Sequence, residues 1–550
     1  MITSLPEELK KIIKGDVSSD NQTLKDYSHD YSLFEVKSKA VVFPKDAQDL
    51  KALIKYVKDN KKNDPALSLT ARAAGTDMGG GAINDSILVE FTRYFNHTPQ
   101  VIGDIVTTEP GVFYRDFEKE TLKHNLLFPS YPASREICAM GGILNNNSGG
   151  EKSLQYGKTE KYIRKMKVIL RDGNVYELKK LSEKELREKL SLQTFEGEIY
   201  QKMHKLIIDN YDDILKAKPD VSKNSAGYYL WNIYDKANKT FDLTQLWVGA
   251  QGTLGFLLEA DVQLVPVHKH RDMMVLFLHD LSHLNEIIKE VLSLSPESFE
   301  AYDDSTLKLA LKFFPEFAKL LGTRGIIQTG ISFLPEFLMI LFGGMPKLIL
   351  QVDFTGDNIE DLQNKIRQLK EKLKPLHPKI RVALEDQEKK YWAIRRESFN
   401  LLRQKVRNKH TAPFIDDFVV KPEYLAKVLL EVIKIIKKHP EFMYTIAGHV
   451  GDGNFHIIPL VDITNPNVRK FIPIIADQIY DLVIKYHGSI TGEHNDGLIR
   501  TPYLKRMYGE KIIKLFEATK NIFDPDNIFN PHKKVFGDLS YAMNHLRQNW

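Results

Sequence analysis

The stretch "LSLTARAAGTDMGGGAINDSILVEF", residues 67–91, decides the fold. Two β-rich runs flank a loop that holds Gly75, Gly79, Gly80 and Gly81. A Rossmann turn for nicotinamide dinucleotides passes from strand into helix, so that the helix N-terminus faces the pyrophosphate. Here the chain passes from strand through loop to strand, and a nicotinamide Rossmann reading fails. The bare amides of such a loop can form a concave nest that admits phosphates closely.

Two more glycine segments follow. Residues 129–178 read "PSYPASREICAMGGILNNNSGGEKSLQYGKTEKYIRKMKVILRDGNVYEL", and residues 245–266 read "QLWVGAQGTLGFLLEADVQLVP". One extended ligand with a pyrophosphate and a flat ring system accounts for all three segments, whereas independent turns do not.

Composition bounds the rest. At 550 residues the chain exceeds one ordinary core and should divide into two or three domains. Lys+Arg 77 against Asp+Glu 72 leaves a scattered net charge of +5, which points away from nucleic acid. The single cysteine, Cys138, excludes intramolecular disulfides and CxxC sites and fits a reducing compartment. "MITSLPEELKKIIKGD" lacks the apolar core of a secretory signal. The most apolar patch, residues 330–350, is broken by Pro335, Glu336, Pro346 and Lys347 and is too short to span a bilayer. The expectation is a soluble, cytoplasmic chain. Residues 34–268 alternate β-rich runs with glycine loops, and residues 269–490 alternate amphipathic helices with strands.

With "KNSAGYYLWNI" (223–233), the glycine segments resemble the FAD domain of the vanillyl-alcohol oxidase/p-cresol methylhydroxylase (PCMH) superfamily. The C-terminal half resembles the FAD-linked oxidase C-terminal domain of D-lactate dehydrogenases, the glycolate oxidase flavin subunit and D-2-hydroxyglutarate dehydrogenase. The resemblance covers residues 35–535 and implies an α+β fold. An N-terminal helical segment (1–33) precedes a two-subdomain FAD-binding domain of PCMH type (34–268). A ferredoxin-like α+β cap (269–490) follows, then a segment (491–550) that completes the active site and packs on the FAD domain. The resemblance assigns Ala73, Ala74, Gly75, Thr76, Asp77, Met78 and Gly79 to the pyrophosphate. It assigns Pro132, Ser134, Gly141, Gly142, Asn145, Asn147, Gly149, Gly150 and Tyr156 to the isoalloxazine and phosphates, and Gly252, Thr253 and Gly255 to the adenosine half. The tail "NIFNP" brings Asn530 back to the flavin. Gln251 departs from the glutamate common in the family, and the absence of histidine from the first loop implies noncovalent FAD.

Residues 447–458, "AGHVGDGNFHII", set two histidines seven residues apart about a Gly-Asp-Gly-Asn core. That core opposes a helix and the flanks are β-like, so a hairpin is predicted. With Asp452 and Gly453 central to a type I′ turn, His449 faces His456 directly. Directly opposed residues share a face with Cβ atoms about 4.5–5.5 Å apart, and two imidazoles can converge on one ion. "SITGEHNDG" (489–497) adds Glu493 as a third ligand with His494 beside it. Two histidines and a carboxylate leave open positions on zinc or a similar divalent metal. The resemblance implies the same set, with His449, His456 and Glu493 as metal ligands and His494 as proton acceptor. It also implies that Arg395, in the W-x-x-R pattern of "KKYWAIRRESF", clamps a substrate carboxylate.

The expected reaction is oxidation of a D-2-hydroxy acid by hydride transfer to FAD. Phe399 and Ile458 stand where 2-hydroxyglutarate enzymes of the family place polar residues, which favours a monocarboxylic substrate of the D-lactate type. D-2-hydroxyglutarate and glycolate stay open as alternatives. The electron acceptor is left open among a quinone, an electron-transfer protein and O2. Residues 313–348 read either as a helical insertion packed on the cap or as a peripheral membrane contact, and a homodimer is compatible with the sequence. A flavin-free metallohydrolase would use the same histidines but leave the glycine loops unexplained. A flavin subunit that only relays electrons would not need Arg395 and His494.

Overall fold

Leu69–Arg72 and Ile87–Glu90 pair side by side as parallel strands, with Leu69 beside Ile87, and no helix forms in the glycine loop between them. A parallel pair normally needs a helical crossover; here the loop alone returns the chain. The computed structural model describes residues 4–312, 333–383, 388–405 and 409–548. The first sheet runs Asp16–Ser18, Ala40–Phe43, Ile87–Glu90, Leu69–Arg72, so the N-terminal stretch expected to be helical also supplies an edge strand. Helix Ala47–Asn60 packs on it through Leu50, Leu53, Ile54 and Val57, and Asp46 caps it by accepting from the amides of Gln48 and Asp49.

A second sheet of seven antiparallel strands lies between Gln100 and Gln263, with Phe256–Gln263 paired to both Ile163–Ile169 and Ile105–Thr108. The segment that was read as a glycine loop forms a short helix, Met140–Asn146, closed by Asn147 in the left-handed conformation. Glycine is accepted inside its first turn because a Cβ on Gly141 would lie 2.7 Å from Pro110.

The third sheet has eight strands between His270 and Val461 and is antiparallel throughout. Alternation decides its faces. Met274, Leu276 and Leu278 meet the helices Leu284–Leu292 and Ile359–Leu373, while Met273, Val275 and Phe277 pack with Tyr391, Trp392 and Ile394 of helix Glu388–Lys405. Of the apolar insertion, residues 313–332 lie outside the described residues. Helix Leu334–Gly343 follows, with Met339 and Ile340 against the cap while Leu334, Phe337, Leu338, Leu341 and Phe342 are exposed. Among the described residues no helix is long and apolar enough to cross a membrane.

The C-terminal segment returns to the first sheet. The Leu69 amide donates to Ile528 O at 2.7 Å and the Asn530 amide to Leu69 O at 2.9 Å, extending the sheet past the glycine loop. Residues 491–500 press on that loop, with the Leu498 amide donating to Gly79 O at 2.8 Å. Gly497 has φ +54°, and a Cβ there would lie 2.1 Å from Gly79 O. Gly497→Ala therefore carries both left-handed strain and a backbone clash, whereas Gly103→Ala at φ +64°, with nothing within 4 Å, carries strain alone. Strain costs about 1–2 kcal/mol, so Gly103→Ala should lower the melting temperature slightly and Gly497→Ala much more; equal shifts would refute the contact.

Candidate active site

The hairpin forms, but not in the predicted register. His449 pairs with Asn454, and His456 pairs with Ala447, because Val450–Asp452 form a 3-10 turn and Gly453 at φ +67° closes a four-residue connection. The histidines are diagonal neighbours, not directly opposed. They share a face because Ala447 and His449 are two residues apart on one strand. Their ring centroids lie 5.2 Å apart at 87°.

Three imidazoles then converge on one oxygen. His449 Nε2 lies 3.1 Å, His456 Nε2 3.2 Å and His494 Nε2 4.0 Å from Glu493 Oε1. Each ring is held from behind at its other nitrogen. His449 Nδ1 donates to Glu300 Oε1 at 2.7 Å, His456 Nδ1 to Asp416 O at 2.8 Å, and His494 Nδ1 to Asp416 Oδ2 at 2.8 Å. A neutral imidazole bonded this way carries its lone pair on Nε2, so all three lone pairs face Glu493; metal-binding histidines are oriented in this manner.

The loop that delivers Glu493 and His494 is folded around a buried carboxylate. Asp417 Oδ2 accepts from the amides of Gly492, Glu493 and His494 at 2.9, 2.9 and 2.7 Å and from Thr491 Oγ1 at 2.7 Å. Burial alone would raise the Asp417 carboxyl, but His494 and His456 hold it well below the usual range. Asp417 also lies close enough to His456, Glu493 and His494 to share an ion. We assign it to the loop instead, because its Oδ2 is already taken by four donors and its Oδ1 accepts from Asn454 Nδ2 at 3.0 Å.

The electrostatics demand positive charge. Burial opposes a charged His494, yet Asp416 and Asp417 push it up to about 9; burial likewise opposes a charged His449, yet Glu300 raises it. His456 is lowered by burial. Glu493 is held well below its ordinary range despite burial, by Lys223 and His449. Lys223 Nζ sits 3.4 Å from Glu493 Oε2 and 3.2 Å from Asp452 Oδ2. A divalent cation on the rings of His449 and His456 and on Glu493 Oε1 would meet this demand without protons on those rings, so the residues fit a metal.

This cluster opens on a cavity of about 670 Å³ whose far wall is the glycine loops. Of the expected residues, Ala73, Ala74, Gly75, Thr76, Asp77, Met78, Pro132, Ser134, Gly141, Gly142, Asn145, Gly149, Gly252 and Gly255 line it, as do Arg395, His449, His456, Glu493 and His494. Six expected residues do not face it: Gly79, Asn147, Gly150, Tyr156, Thr253 and Asn530. Several of these brace the wall. Asn530 Nδ2 donates to Gly81 O at 2.9 Å and Gln251 O at 2.6 Å, and Thr253 Oγ1 to Ala250 O at 2.7 Å. Two observations fit a phosphate-bearing cofactor. Among the described residues the amides of Ala74, Gly75 and Thr76 donate to no protein acceptor. A Cβ on Gly142 would meet nothing within 4 Å, so that position keeps space open in the cavity.

Arg395 lines the same cavity, buried, and forms an ion pair with Glu300 Oε2, while its Nε has no hydrogen-bond partner among the described residues. The neighbouring Arg396 is engaged by both carboxylate oxygens of Glu151. Sequence reading missed Glu300, Asp416, Asp417 and Lys223. The signal for the aspartates was present, since "PFIDDFVV" sets two carboxylates inside an apolar run. Glu300 carries no such mark, and Lys223 opens "KNSAGYYLWNI", a stretch that carries the resemblance without marking the role of the lysine.

Fold and cavity together define a protein built to hold a long, phosphate-bearing cofactor beside a cluster of imidazoles. The chain belongs to the FAD-linked oxidases: residues 267–534 match the FAD linked oxidases C-terminal domain and residues 38–179 the FAD binding domain. It is 25% identical over 535 residues to the D-2-hydroxyglutarate dehydrogenase of Haemophilus influenzae, covering 94% of this chain and 50% of that protein. It thus spans half the length of that relative. It is 23% identical over 542 residues to the D-lactate dehydrogenase of Anaerostipes hadrus, covering 96% of each. The 4-ethylphenol oxidase of Gulosibacter chungangensis shares the fold at a TM-score of 0.68 and 16% identity, covering 97% of both chains.

Asp417→Asn would turn an amide toward three backbone N–H groups and should cost on the order of 3 kcal/mol. The expected result is a lower melting temperature together with weaker retention of added zinc through dialysis. Unchanged metal content would show that Asp417 does not hold the loop.

Proposed function

We propose that the chain is an FAD-dependent dehydrogenase that oxidises a D-2-hydroxy acid carrying a single carboxylate, of the D-lactate kind, to the 2-oxo acid. The observation that carries this reading is that His494, Arg395 and the glycine cradle share one cavity. Noncovalent FAD, held by the loop amides at 74–76 and the open space at Gly142, supplies the hydride acceptor. A divalent cation held by His449, His456 and Glu493, zinc being the expected ion, would lower the pKa of a hydroxyl placed against it.

The chain's own residues do the rest. Arg395 Nε, buried and unpaired, binds the substrate carboxylate and fixes the carbinol near the imidazoles. His494 Nε2 accepts the hydroxyl proton while Asp416 keeps Nδ1 protonated. His494 suits the role of base because its Nε2 stands farther from Glu493 than those of the other two rings. As the O–H proton passes to His494, the C–H bond breaks with its electron pair leaving as hydride, and the C–O bond becomes a carbonyl.

One carboxylate fits the cations available. Of the arginines at the cavity, Arg396 is paired with Glu151, Arg135 with Glu118 and Arg395 with Glu300, and Arg72 donates to backbone carbonyls; among these four Arg395 keeps a buried Nε without an acceptor. Ile458 and Ala447 present apolar surface near the histidines. The side chain of Phe399 lies outside the described residues. D-2-hydroxyglutarate is the second reading, favoured by the relative from Haemophilus influenzae.

The purified protein should be yellow, and under anaerobic conditions D-lactate, not L-lactate, should bleach it. His494→Ala should keep its flavin yet bleach about 10²–10⁴-fold more slowly; undiminished bleaching would remove His494 as base. Arg395→Met should raise the half-saturating D-lactate concentration about 10–100-fold, a loss of roughly 1.5–3 kcal/mol. A panel with D-2-hydroxyglutarate and glycolate decides between the readings, and a colourless protein with hydrolase activity would overturn both. Chelation should slow bleaching and added zinc or manganese should restore it.

A further inference from the structure

We propose that Gln251 is a positioning residue of the cofactor cradle: its neutral amide ties the Asp77 carboxylate to the Gly497 amide, and the cradle keeps its shape only while position 251 is uncharged. The inference rests on the FAD reading above and adds to it a residue that acts through its neighbours.

Gln251 is buried, sits at φ +52° and faces the cavity. Its Nε2 donates to Asp77 Oδ2 at 3.3 Å and lies 3.4 Å from Asn146 Oδ1, while its Oε1 accepts from the Gly497 amide at 2.9 Å. Its own amide donates to Asn145 O at 2.9 Å and its carbonyl accepts from Asn530 Nδ2 at 2.6 Å. One residue therefore touches the first glycine loop, helix Met140–Asn146, the loop that carries Glu493 and His494, and the C-terminal segment. Asp77 in turn shapes its loop, because its Oδ1 accepts from the amides of Gly79 and Gly81 at 2.7 and 2.8 Å.

The position needs one donor and one acceptor, which an amide supplies and a carboxylate does not. Glutamate has the same size, but its second oxygen would face Asp77 Oδ2 across a hydrogen-bond distance. Among the described residues no cation forms an ion pair with Asp77. Asp77 shares its surroundings with Asp30, Arg72 and Lys533, with Asp85 beyond Lys533; across the joint Lys534 is paired with Asp496 at 2.7 Å. Asp30 and Asp496 are buried and Asp77 is half-buried; Lys534 is taken by Asp496, while Arg72 and Lys533 donate to backbone carbonyls, so a carboxylate at 251 would add a negative group with no ion-pair partner in contact.

The test is titration of FAD into the flavin-stripped full chain, followed by quenching of flavin fluorescence, with the melting temperature as a second readout. The wild type should bind with one affinity from pH 6 to pH 8.5. Gln251→Glu should bind about tenfold or more weakly at pH 8.5, where one unit of pKa displacement corresponds to a factor of ten. It should recover to within about threefold at pH 6, because the protonated carboxyl donates to Asp77 as the amide does. The double variant Asp77→Asn with Gln251→Glu exchanges charge for amide across the same contact and should recover affinity at pH 8.5. Wild-type affinity of Gln251→Glu at pH 8.5, equal weakness at both pH values, or a double variant no tighter than the single would overturn the proposal. A single variant that fails to fold at pH 8.5 while the double variant folds supports it; failure of both counts against it. A wild type that takes up no FAD would strike the cofactor reading instead, and the melting temperatures of the variants would still compare the charge states.

Discussion

One buried carboxylate organises the imidazole cluster. Asp417 gathers the amides of Gly492, Glu493 and His494 around a single oxygen and so fixes the direction in which two consecutive side chains leave the backbone. Those two side chains come from the C-terminal segment, whereas His449 and His456 come from the cap sheet and the cavity wall from the first two sheets. Without the Asp417 anchor the four groups would have no common reference. Asp416 extends the effect, since its backbone carbonyl orients His456, its carboxylate orients His494, and Arg500 pairs with its remaining oxygen. Two adjacent residues thus set three of the four groups.

The cavity shows a division of labour between backbone and side chain. Its cofactor wall is made largely of amides and missing side chains, which suits a ligand that must lie flat and carry phosphate. Its reactive wall is made of ionisable side chains, each with a buried partner: Glu300 behind His449, Asp416 behind His494, Lys223 behind Glu493. Removing water from these groups costs free energy that only pairing can offset, so the partners are as necessary as the groups they hold.

How far the sequence could be read depended on the range of the interaction. The strand–loop–strand reading of residues 67–91 holds because local composition decides it: the glycines carry no helix signal and β-branched residues flank them. The family was legible for the same reason, through several local motifs in a fixed order. The hairpin shows where local reasoning stops. Turn chemistry pointed to a two-residue I′ turn, but Val450–Asp452 adopt a 3-10 turn, with Gly451 against Leu154 and Phe299 and Gly453 against the backbone of Val420. The change in register moves the partner of His449 by two residues, from His456 to Asn454, and so leaves the two histidines on the same face. Glu300 and Lys223 could not be found this way. Glu300 is one charged residue in an ordinary-looking segment, Lys223 opens a stretch that marks the family and not the lysine, and the role of each arises only when segments distant in sequence become neighbours. The segment around Gly141 and Gly142, counted among the glycine loops between strands, instead holds a short helix in which Gly141 packs against Pro110.

The pairing of Phe529 with Leu69 bears on how the chain acquires this structure. A nascent chain leaves the ribosome N-terminus first, so the first sheet must wait for more than four hundred further residues before its last neighbour arrives. Until then Leu69, Val89 and Phe256 lack the cover that Ile528 and Phe529 provide, and this apolar surface is available to chaperones or to aggregation. Synthesis of residues 528–530 therefore closes the first sheet, so that the strand leading into the glycine loop gains its outer neighbour long after it has left the ribosome.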